Sequence, residues 1–274
     1  MFITKADGTQ EEFKTKKLEI SLKRAGAKAS EIYSIVNEIQ TSLTEGMRTQ
    51  EIYKKAFELL RESSDPVAAK YSLRRAVFGL GPTGFPFEDF LGRIFEAQGY
   101  KTKRRLILKG RCATHEIDLA AYSPAHSFVA EAKFHAQPGT KSDLQVAMYS
   151  YARWLDLQAK QVCKDDICGI VSLYIITNTK FTTAAIKYAE CSGIQLLSWD
   201  YPRNNSLQSM IERLKVYPIT VLTHLTNAQK QQILQNGVIL CSDIVGKPAV
   251  LQSLRLSNQK MSLILQEAGL LCGS

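Results

Sequence analysis

Hydrophobic and polar positions divide the first 80 residues into a short hairpin and a series of helices. Two short strand patterns flank Asp7-Gly8, a dipeptide typical of two-residue hairpin turns. Apolar residues then recur three and four positions apart, the spacing of one helix face. Ser30 and Thr49 are expected as N-caps. The pattern predicts helices over Lys16–Ala25, Ser30–Leu43, Thr49–Ser63 and Pro66–Phe78.

A second pattern begins after the glycine-rich segment G-L-G-P-T-G-F, which ends at Phe85 and is typical of a linker. The order that follows is helix, three strands, helix, strand, helix, strand, which predicts a mixed sheet with helices on both faces. The fold class is therefore α/β, or α+β for the whole chain. The first predicted element is a helix whose apolar face spans Phe87–Phe95 and which ends at Gln98-Gly99. The others are Tyr100–Leu108, Ala113–Tyr122, Ser127–Phe134, Ser142–Ala159, Ile170–Ile176, Phe181–Cys191 and Ile194–Ser198.

The last part of the chain has short helical patterns without a strand pattern. A helix is expected over Asn205–Lys215, and a capped helix from Thr226 ends at Gly237. We interpret this part as a helical packing or dimerisation element. The sequence thus predicts three domains, 1–80, 85–204 and 205–274.

Charge adds a candidate partner to this outline. The chain of 274 residues has a net charge of +9 and a pI near 9.2, which suits a polyanion. Six basic residues fall within eleven positions that contain no acid. They form either a track for a phosphate backbone or a strand edge protected from aggregation. These residues are Lys101, Lys103, Arg104, Arg105, Lys109 and Arg111.

Several classes of protein are disfavoured by the sequence. The six cysteines lack paired C-x-x-C spacing, so neither a zinc site nor a disulfide framework is expected. Apolar runs are too short to span a membrane and the start lacks a signal-peptide core, so a cytoplasmic location is expected. The phosphate-binding motif G-x-x-x-x-G-K-[ST] is missing from the sequence, so a bound nucleotide is expected to regulate rather than to supply energy.

The candidate chemistry lies in the predicted hairpin around Ser123-Pro124-Ala125-His126. A symmetric hairpin places Asp118 opposite Glu131, with Cβ atoms roughly 5 Å apart. Two facing carboxylates repel one another, so such a pair needs a cation or a proton between them. Lys133 shares a strand face with Glu131 because it lies two residues further on. This arrangement predicts a metal-dependent hydrolytic site.

The first 80 residues resemble the ATP-cone, a module that binds nucleotides in ribonucleotide reductases and their transcriptional regulators. The resemblance lies in the hairpin I-T-K-A-D-G-T-Q-E-E-F, the following K-T-K-K-L, the segment R-T-Q-E-I-Y and a last helix rich in tyrosine and arginine. It implies ATP or dATP as a regulatory ligand. It assigns nucleotide contacts to Lys5, Glu11, Lys17 and Thr49, with Tyr53 at a common histidine position and Ala6 at a common arginine position.

Residues 85–200 resemble the restriction-endonuclease-like nucleases with the P-D-(x)n-(D/E)-x-K signature, closest to the Mrr-like and Holliday-junction-resolvase branches. The matching features, in order, are F-E-D-F, H-E-I-D, E-A-K, Q-V-A-M-Y and I-I-T-N-T-K-F. The resemblance implies Mg²⁺ or Mn²⁺ held by Asp118 and Glu131, with Lys133 beside the reacting water. It also implies supporting roles for Glu88, Gln145 and Tyr149. His115 precedes the acid as in related motifs, but we interpret it as structural.

Together these features predict a Mg²⁺-dependent deoxyribonuclease, an endonuclease of DNA restriction or repair, regulated by a nucleotide on the cone. DNA, an adenine nucleotide and a second copy of the chain are the expected partners. The alternative is a nucleotide-responsive DNA-binding regulator whose nuclease fold is inactive. A ribonucleotide reductase fragment is disfavoured because no radical-chemistry domain follows the cone.

Overall fold

The structure, a computed structural model, describes residues 1–124, 126–158 and 170–273. Predictions that fall on Ala125, on Ala159 and on two of the cysteines, Cys163 and Cys168, lie outside these residues. The chain forms two units. The first comprises Met1–Ala76, Ile219–Asn236 and Cys241–Ser274, and the second comprises Val77–Pro218 and Gly237–Leu240. The predicted segment 205–274 thus contributes to both units.

The N-terminal part of the first unit is a two-stranded hairpin followed by helices, as predicted. Leu22, Ile39 and Leu60, each from a different helix, are fully buried in one core because their helices present apolar residues at helical spacing. The elements are β1 (Phe2–Thr4), β2 (Gln10–Glu12), α1 (Thr15–Ala25), α2 (Ala29–Ser42), α3 (Thr49–Ser63), α4 (Asp65–Tyr71) and α5 (Leu73–Phe78).

The predicted N-caps of α2 and α3 are wrong by one or two residues. Because α2 begins at Ala29, Ser30 lies inside the helix, and the carboxylate of Glu31 accepts the N–H of Lys28 at 2.7 Å. Thr49 is likewise the first helical residue of α3 rather than its cap. In both helices the carboxylate of a glutamate at the third helical position accepts the backbone N–H of the cap residue. The helix start is therefore stabilised without a serine or threonine cap.

The predicted helix Pro66–Phe78 is two helices, α4 and α5, separated at Ser72. The Ser72 hydroxyl donates to the carbonyl of Ala69 at 2.9 Å. A serine side chain that binds the preceding turn competes with the regular helical hydrogen bonds. The local break therefore follows from a side-chain contact that apolar spacing does not show.

The second unit is built on a five-stranded mixed sheet in the order β3-β4-β5-β7-β9, in which β3, β4 and β5 are antiparallel and β5, β7 and β9 are parallel. Its elements are α6 (Phe85–Glu96), β3 (Lys101–Lys109), β4 (Thr114–Tyr122), β5 (Ser127–Lys133), β6 (Lys141–Ser142), α7 (Leu144–Gln158), β7 (Ile170–Thr177), β8 (Lys180–Phe181), α8 (Thr183–Ser192), β9 (Gln195–Leu197) and α9 (Leu207–Leu214). The short β6–β8 pair was not predicted.

Helices cover both faces of this sheet. Phe128 of β5 packs against Phe95 of α6, with ring centroids 4.8 Å apart. The next residue, Val129, points to the opposite face and belongs to the core that contains Ala147 of α7 and Ala185 of α8. The predicted fold class, a mixed α/β sheet with a helical C-terminal part, is confirmed.

The C-terminal part of the first unit packs on the end of the N-terminal helices. Thr220 donates its hydroxyl to the carbonyl of Ala76 at 2.6 Å, and the imidazole of His224 lies 2.9 Å from the carboxylate of Asp65. Its helices are α10 (Asn227–Gln235), α11 (Cys241–Gly246) and α12 (Asn258–Cys272), with 3-10 segments at Ile219–Val221 and Pro248–Leu254. Among the described residues, no helix has the length and apolar character needed to cross a membrane.

Candidate functional site

The hairpin register that was predicted for Asp118 and Glu131 is confirmed. The β4–β5 ladder pairs Leu119 with Ala130 and continues in the same register toward the turn, so Asp118 and Glu131 occupy the next facing positions beyond its end. There the Oδ2 atom of Asp118 accepts the backbone N–H of Ala132 at 2.7 Å. The Asp118 side chain thus extends the ladder and is fixed beside the strand that carries Glu131.

Burial and a neighbouring carboxylate both act on the Asp118 side chain. The pKa of Asp118 is raised to about 6, first by burial and then by the charge of Glu131, although the N–H of Ala132 lowers it. The charge of Glu88 raises it further. Facing carboxylates in a partly buried site favour a proton or a cation between them. The repulsion predicted from the sequence is therefore present.

Two basic side chains hold the carboxylate of Glu131. Lys133 Nζ lies 2.6 Å from Oε1, and Arg153 Nη1 lies 2.6 Å from Oε2. The Glu131 side chain is 8% exposed and that of Arg153 is 12% exposed, so this second ion pair is largely shielded from water. Lys133 lies beside Glu131, as the sequence predicted, whereas the contact between Arg153 and Glu131 was not predicted.

The signal that could have identified Arg153 is its position on α7. Gln145, Tyr149 and Arg153 follow one another at intervals of four, so they share one helix face. The guanidinium of Arg153 lies 5.4 Å from the ring centroid of Tyr149. Gln145 is exposed and has no hydrogen bond to Asp118 or Glu131 among the described residues. Of the three residues on this helix face, Arg153 is the one that contacts Glu131.

A small cavity lies behind the Glu131–Arg153 ion pair. Its volume is about 10 Å³, and Ser150 and Trp154 of α7 contribute to its lining. The Ser150 Oγ and Trp154 Nε1 atoms are buried without a hydrogen-bond partner among the described residues. A space of this size accommodates about one water molecule. The ion pair therefore borders a cavity lined by two residues whose polar atoms have no described partner.

Glu88 approaches the site from α6 and is paired with a residue of the basic strand. It is 8% exposed, and Arg105 Nη1 lies 3.2 Å from its Oε2 atom. Burial raises the pKa of Glu88, and the hydrogen bond from Arg105 opposes this shift. Glu88 therefore acts on Asp118 through its charge, while its carboxylate is bound to an arginine.

Arg105 has an unusual backbone that explains this contact. Its φ is 53°, in the left-handed region, and the β3–β4 ladder is interrupted there between the pairs Arg104–Leu119 and Leu106–Ile117. A regular strand would direct two consecutive residues to opposite faces. Instead both Arg104 and Arg105 contact Asp89 of α6, at 3.7 and 2.9 Å.

The six predicted DNA-binding residues thus fall into two groups. Arg104 and Arg105 are held by acids of α6, which sequence spacing did not show. The other four are exposed on the edge strand β3 or just beyond it, and no described carboxylate forms an ion pair with them. This group comprises Lys101, Lys103, Lys109 and Arg111. Since β3 is an edge strand, both interpretations of the basic run fit this group.

His115 makes a structural contact. Its Nε2 atom lies 2.7 Å from Asp156 of α7, whose carboxylate also accepts the N–H groups of Cys112 and Ala113 at 2.7 and 3.0 Å. These hydrogen bonds hold the pKa of Asp156 well below its ordinary value. Asp156 ties the β3–β4 turn to the helix that carries Arg153.

In the N-terminal part, three predicted nucleotide contacts converge. The carboxylate of Glu11 lies 2.9 Å from the ammonium groups of both Lys5 and Lys17. The two lysine hydrogen bonds lower the pKa of Glu11. The parallel bridge between Thr4 and Arg48 brings the residues after them, Lys5 and Thr49, to neighbouring positions. The cluster is therefore a surface on which two cations lie beside the start of α3.

Tyr53 lies one turn after Thr49 on α3 and takes part in a ring stack. Its ring is parallel to that of Tyr71 within 8°, with centroids 5.1 Å apart, and the guanidinium of Arg75 lies 3.7 Å from its centroid. Burial raises the pKa of Tyr53. The residue at the family's histidine position is thus packed against an arginine and a second tyrosine.

Asp118 and Glu131 fit a divalent cation in donor type and in charge. Both supply carboxylate oxygens, which hard cations prefer, and burial followed by the charge of Glu131 raises the pKa of Asp118. The described residues contain no group of three or more His, Cys, Asp or Glu side chains placed for a metal. Asp118 and Glu131 would therefore be the two side-chain ligands that the described residues offer a cation.

The fold and these contacts define a protein in which an N-terminal ATP cone is joined to a mixed α/β domain with a carboxylate and lysine cluster. Residues 1–77 match the ATP cone domain family, so the resemblance seen in the sequence is confirmed there. Residues 217–272 match the family described as AF1548-like, C-terminal. The chain is 34% identical over 179 residues to an uncharacterized protein of Archaeoglobus fulgidus, a match that spans 65% of this chain and 97% of that protein. The chain belongs to the AF1548-like family.

A solved structure supports the same relationship. The crystal structure of the protein of unknown function AF1548 has a TM-score of 0.56 and 32% sequence identity, and it covers 70% of this chain and 100% of its own. The descriptions of these families and relatives do not name a nuclease. The nuclease activity predicted from the sequence therefore stays a prediction.

Proposed function

We propose that this protein is a metal-dependent DNA endonuclease whose activity is regulated by ATP or dATP bound to its cone. The observation that carries the proposal is the in-register approach of Asp118 to Glu131, with Lys133 bound to the same carboxylate. The raised pKa of Asp118 supports it, because structural carboxylates at a solvated hairpin do not require such a shift. The exposed lysines of β3 support a polyanionic substrate.

The reaction would be hydrolysis of a phosphodiester, in which water attacks phosphorus and the P–O3′ bond breaks to leave a 5′-phosphate. Asp118 and Glu131 would hold Mg²⁺ or Mn²⁺. A bound metal lowers the pKa of water and offsets charge on the phosphorane. The Lys133 ammonium supplies a further positive charge beside Glu131 and a donor that can orient water or phosphate.

A second function is favoured by a different observation. Both Glu131 oxygens are engaged by basic side chains, so the site is already partly neutralised without a metal. This supports the alternative of a nucleotide-responsive DNA-binding regulator with an inactive nuclease fold. In that case the ion pairs would serve only to hold β5 and α7 together.

Plasmid cleavage with Mg²⁺ separates the two functions. We expect wild-type protein to nick or linearise supercoiled DNA, and Asp118→Ala and Lys133→Ala to bind DNA equally well but to lose cleavage at least 100-fold. Lys141→Ala, a change at an exposed lysine of β6, is the matched control and should cleave normally. Wild type that binds but nicks no DNA, modified or unmodified, would favour the regulator.

Regulation by nucleotide needs a separate measurement. Calorimetry of the full chain with ATP, dATP and ADP should show binding of at least one of them, and the same nucleotide should change the cleavage rate. No heat with any of the three would remove the regulatory part of the proposal and leave the nuclease part intact.

A further inference from the structure

The ion pair between Arg153 and Glu131 raises a question about how the proposed metal site is filled. Arg153 Nη1 lies 2.6 Å from Glu131 Oε2, and Lys133 takes the other oxygen at the same distance. Two positive side chains thus balance the two negative charges of Asp118 and Glu131. A divalent cation bound at Glu131 would lie close to both of them, in a site with little solvent to screen the repulsion.

Of the two cations, Arg153 is the one that a substrate could draw away. Lys133 lies on β5 beside Glu131, whereas Arg153 is on α7, 22 residues further along the chain. Its guanidinium lies near the ring of Tyr149, which is 61% exposed, so the α7 face leads from the buried ion pair to solvent. Guanidinium matches the geometry of a phosphate with two parallel hydrogen bonds.

A rearranged Arg153 would keep a hydrogen-bond partner. Ser150 and Arg153 line the same cavity, and the Ser150 Oγ atom is buried without a described partner, so this oxygen is a candidate acceptor for the guanidinium. An Arg153 side chain that has separated from Glu131 would therefore still have a hydrogen-bond acceptor nearby.

We propose that Arg153 is a resident counter-ion that competes with the divalent cation for Glu131 and leaves it for a DNA phosphodiester. Metal and DNA then bind cooperatively. A metal ion on Glu131 frees Arg153 for the DNA phosphate, and a DNA phosphate on Arg153 frees Glu131 for the metal ion. The inference rests on the proposed function and deepens it. It makes Arg153 a positioning residue, since its effect on the metal acts through Glu131.

The test is calorimetry of the full-length protein with Mn²⁺ and with Mg²⁺, without DNA. We expect Arg153→Gln to bind the metal about tenfold more tightly than wild type, because one positive charge beside Glu131 is lost. Arg153→Lys keeps the charge and should bind metal within threefold of wild type. Arg213→Gln removes an exposed arginine of the same unit whose described partner is Asn205, and it should leave metal affinity unchanged.

The cooperative part is tested by repeating the titration with a phosphorothioate duplex, whose slow hydrolysis keeps the complex intact. Wild type should then bind metal at least tenfold more tightly than without DNA, and Arg153→Gln should gain less than threefold. A duplex with neutral methylphosphonate linkages should not tighten metal binding to wild type. Circular dichroism and the midpoint of thermal unfolding confirm that each variant is folded.

Equal or weaker metal binding by folded Arg153→Gln would overturn the inference, and so would a lack of measurable binding in both proteins. If wild type nevertheless cleaves DNA, the proposed function survives without the counter-ion role. If Arg153→Gln gains metal affinity but wild type cleaves no DNA, the counter-ion competition stands and the nuclease proposal fails.

Discussion

The guanidinium of Arg75 lies 3.7 Å from the ring centroid of Tyr53. Arg75 belongs to α5, the helix that follows the one bearing Tyr71. Arg75 itself is exposed and Tyr53 is half-buried, so the contact is a cation–π pair at the surface. The position that the ATP-cone resemblance gives to a nucleotide contact is thus already part of a packed stack.

We predict that Arg75→Ala lowers the free energy of unfolding of the first unit by about 0.5–1 kcal/mol, the usual size of an exposed cation–π contact. Tyr53→Phe keeps the ring and is the matched control, with a change below about 0.5 kcal/mol. Urea unfolding followed by tyrosine fluorescence measures both. A loss in Tyr53→Phe as large as in Arg75→Ala would show that the hydroxyl, rather than the stack, stabilises this region.

Lys17, which is bound to Glu11, should not be equivalent to the other lysines of α1. We predict that Lys17→Ala weakens ATP binding about tenfold, because Lys17 and Lys5 are the two cations gathered beside the start of α3. Lys16→Ala, an exposed neighbour on α1, should change the affinity less than twofold. Calorimetry at two salt concentrations checks this, and an equal effect of both substitutions would argue against a phosphate site at Glu11.

The basic strand allows a prediction that separates DNA binding from structural ion pairs. Lys101→Ala with Lys103→Ala should reduce the salt dependence of DNA binding by about 0.9 for each phosphate that a lysine no longer neutralises. Arg104→Gln, which breaks ion pairs with Asp89 and Glu96, should mainly lower the thermal midpoint. Fluorescence anisotropy over a range of salt concentrations measures the slope. An unchanged slope in the double lysine variant would favour the interpretation that this run only protects a strand edge.

These contrasts show which parts of the site the sequence could predict. The facing positions of Asp118 and Glu131 follow from a turn and from strand alternation, both of which are local properties. The pairing of Arg104 and Arg105 with α6 depends on the left-handed backbone of Arg105, and no residue type at that position signals it.

Arg153 shows a second limit. Its partner Glu131 lies 22 residues away on another element, so the pair exists only through the packing of α7 against the sheet. The resemblance to the nucleases drew attention to Gln145 and Tyr149 on one face of α7, but not to Arg153, the residue of that face that contacts Glu131. Local sequence patterns predict the fold class and the strand register, but they do not predict ion pairs between residues of different elements.

The turn between β3 and β4 should be sensitive to acid through Asp156. Its pKa is lowered mainly by the hydrogen bond with His115, so this group stabilises the fold above its unfolded pKa near 4 and loses that contribution as pH falls. We predict that the thermal midpoint of wild type declines below about pH 4. Asp156→Asn should start lower and decline less over that range. Parallel decline in both proteins would assign the acid sensitivity to other carboxylates.

Glu267 of α12 should have the opposite pH dependence. It is 2% exposed and accepts the backbone N–H of Thr223 at 2.8 Å, but burial outweighs these hydrogen bonds and raises its pKa. A carboxyl whose folded pKa is raised binds its proton more tightly in the folded state. Its contribution is therefore complete below the unfolded pKa near 4.3 and is lost as pH rises through the folded value. Glu267→Gln, which cannot ionise, should escape this loss.

The measurement is the difference in thermal midpoint between Glu267→Gln and wild type from pH 4 to pH 8. We expect the variant to be less stable than wild type at pH 4, because an amide replaces a protonated carboxyl that fits the site, and to gain on wild type steadily as pH rises. Glu58→Gln, an exposed glutamate of α3, is the control and should show no trend. A constant difference for Glu267→Gln across this range would mean that Thr223 and its neighbours hold the ionised carboxylate without a penalty.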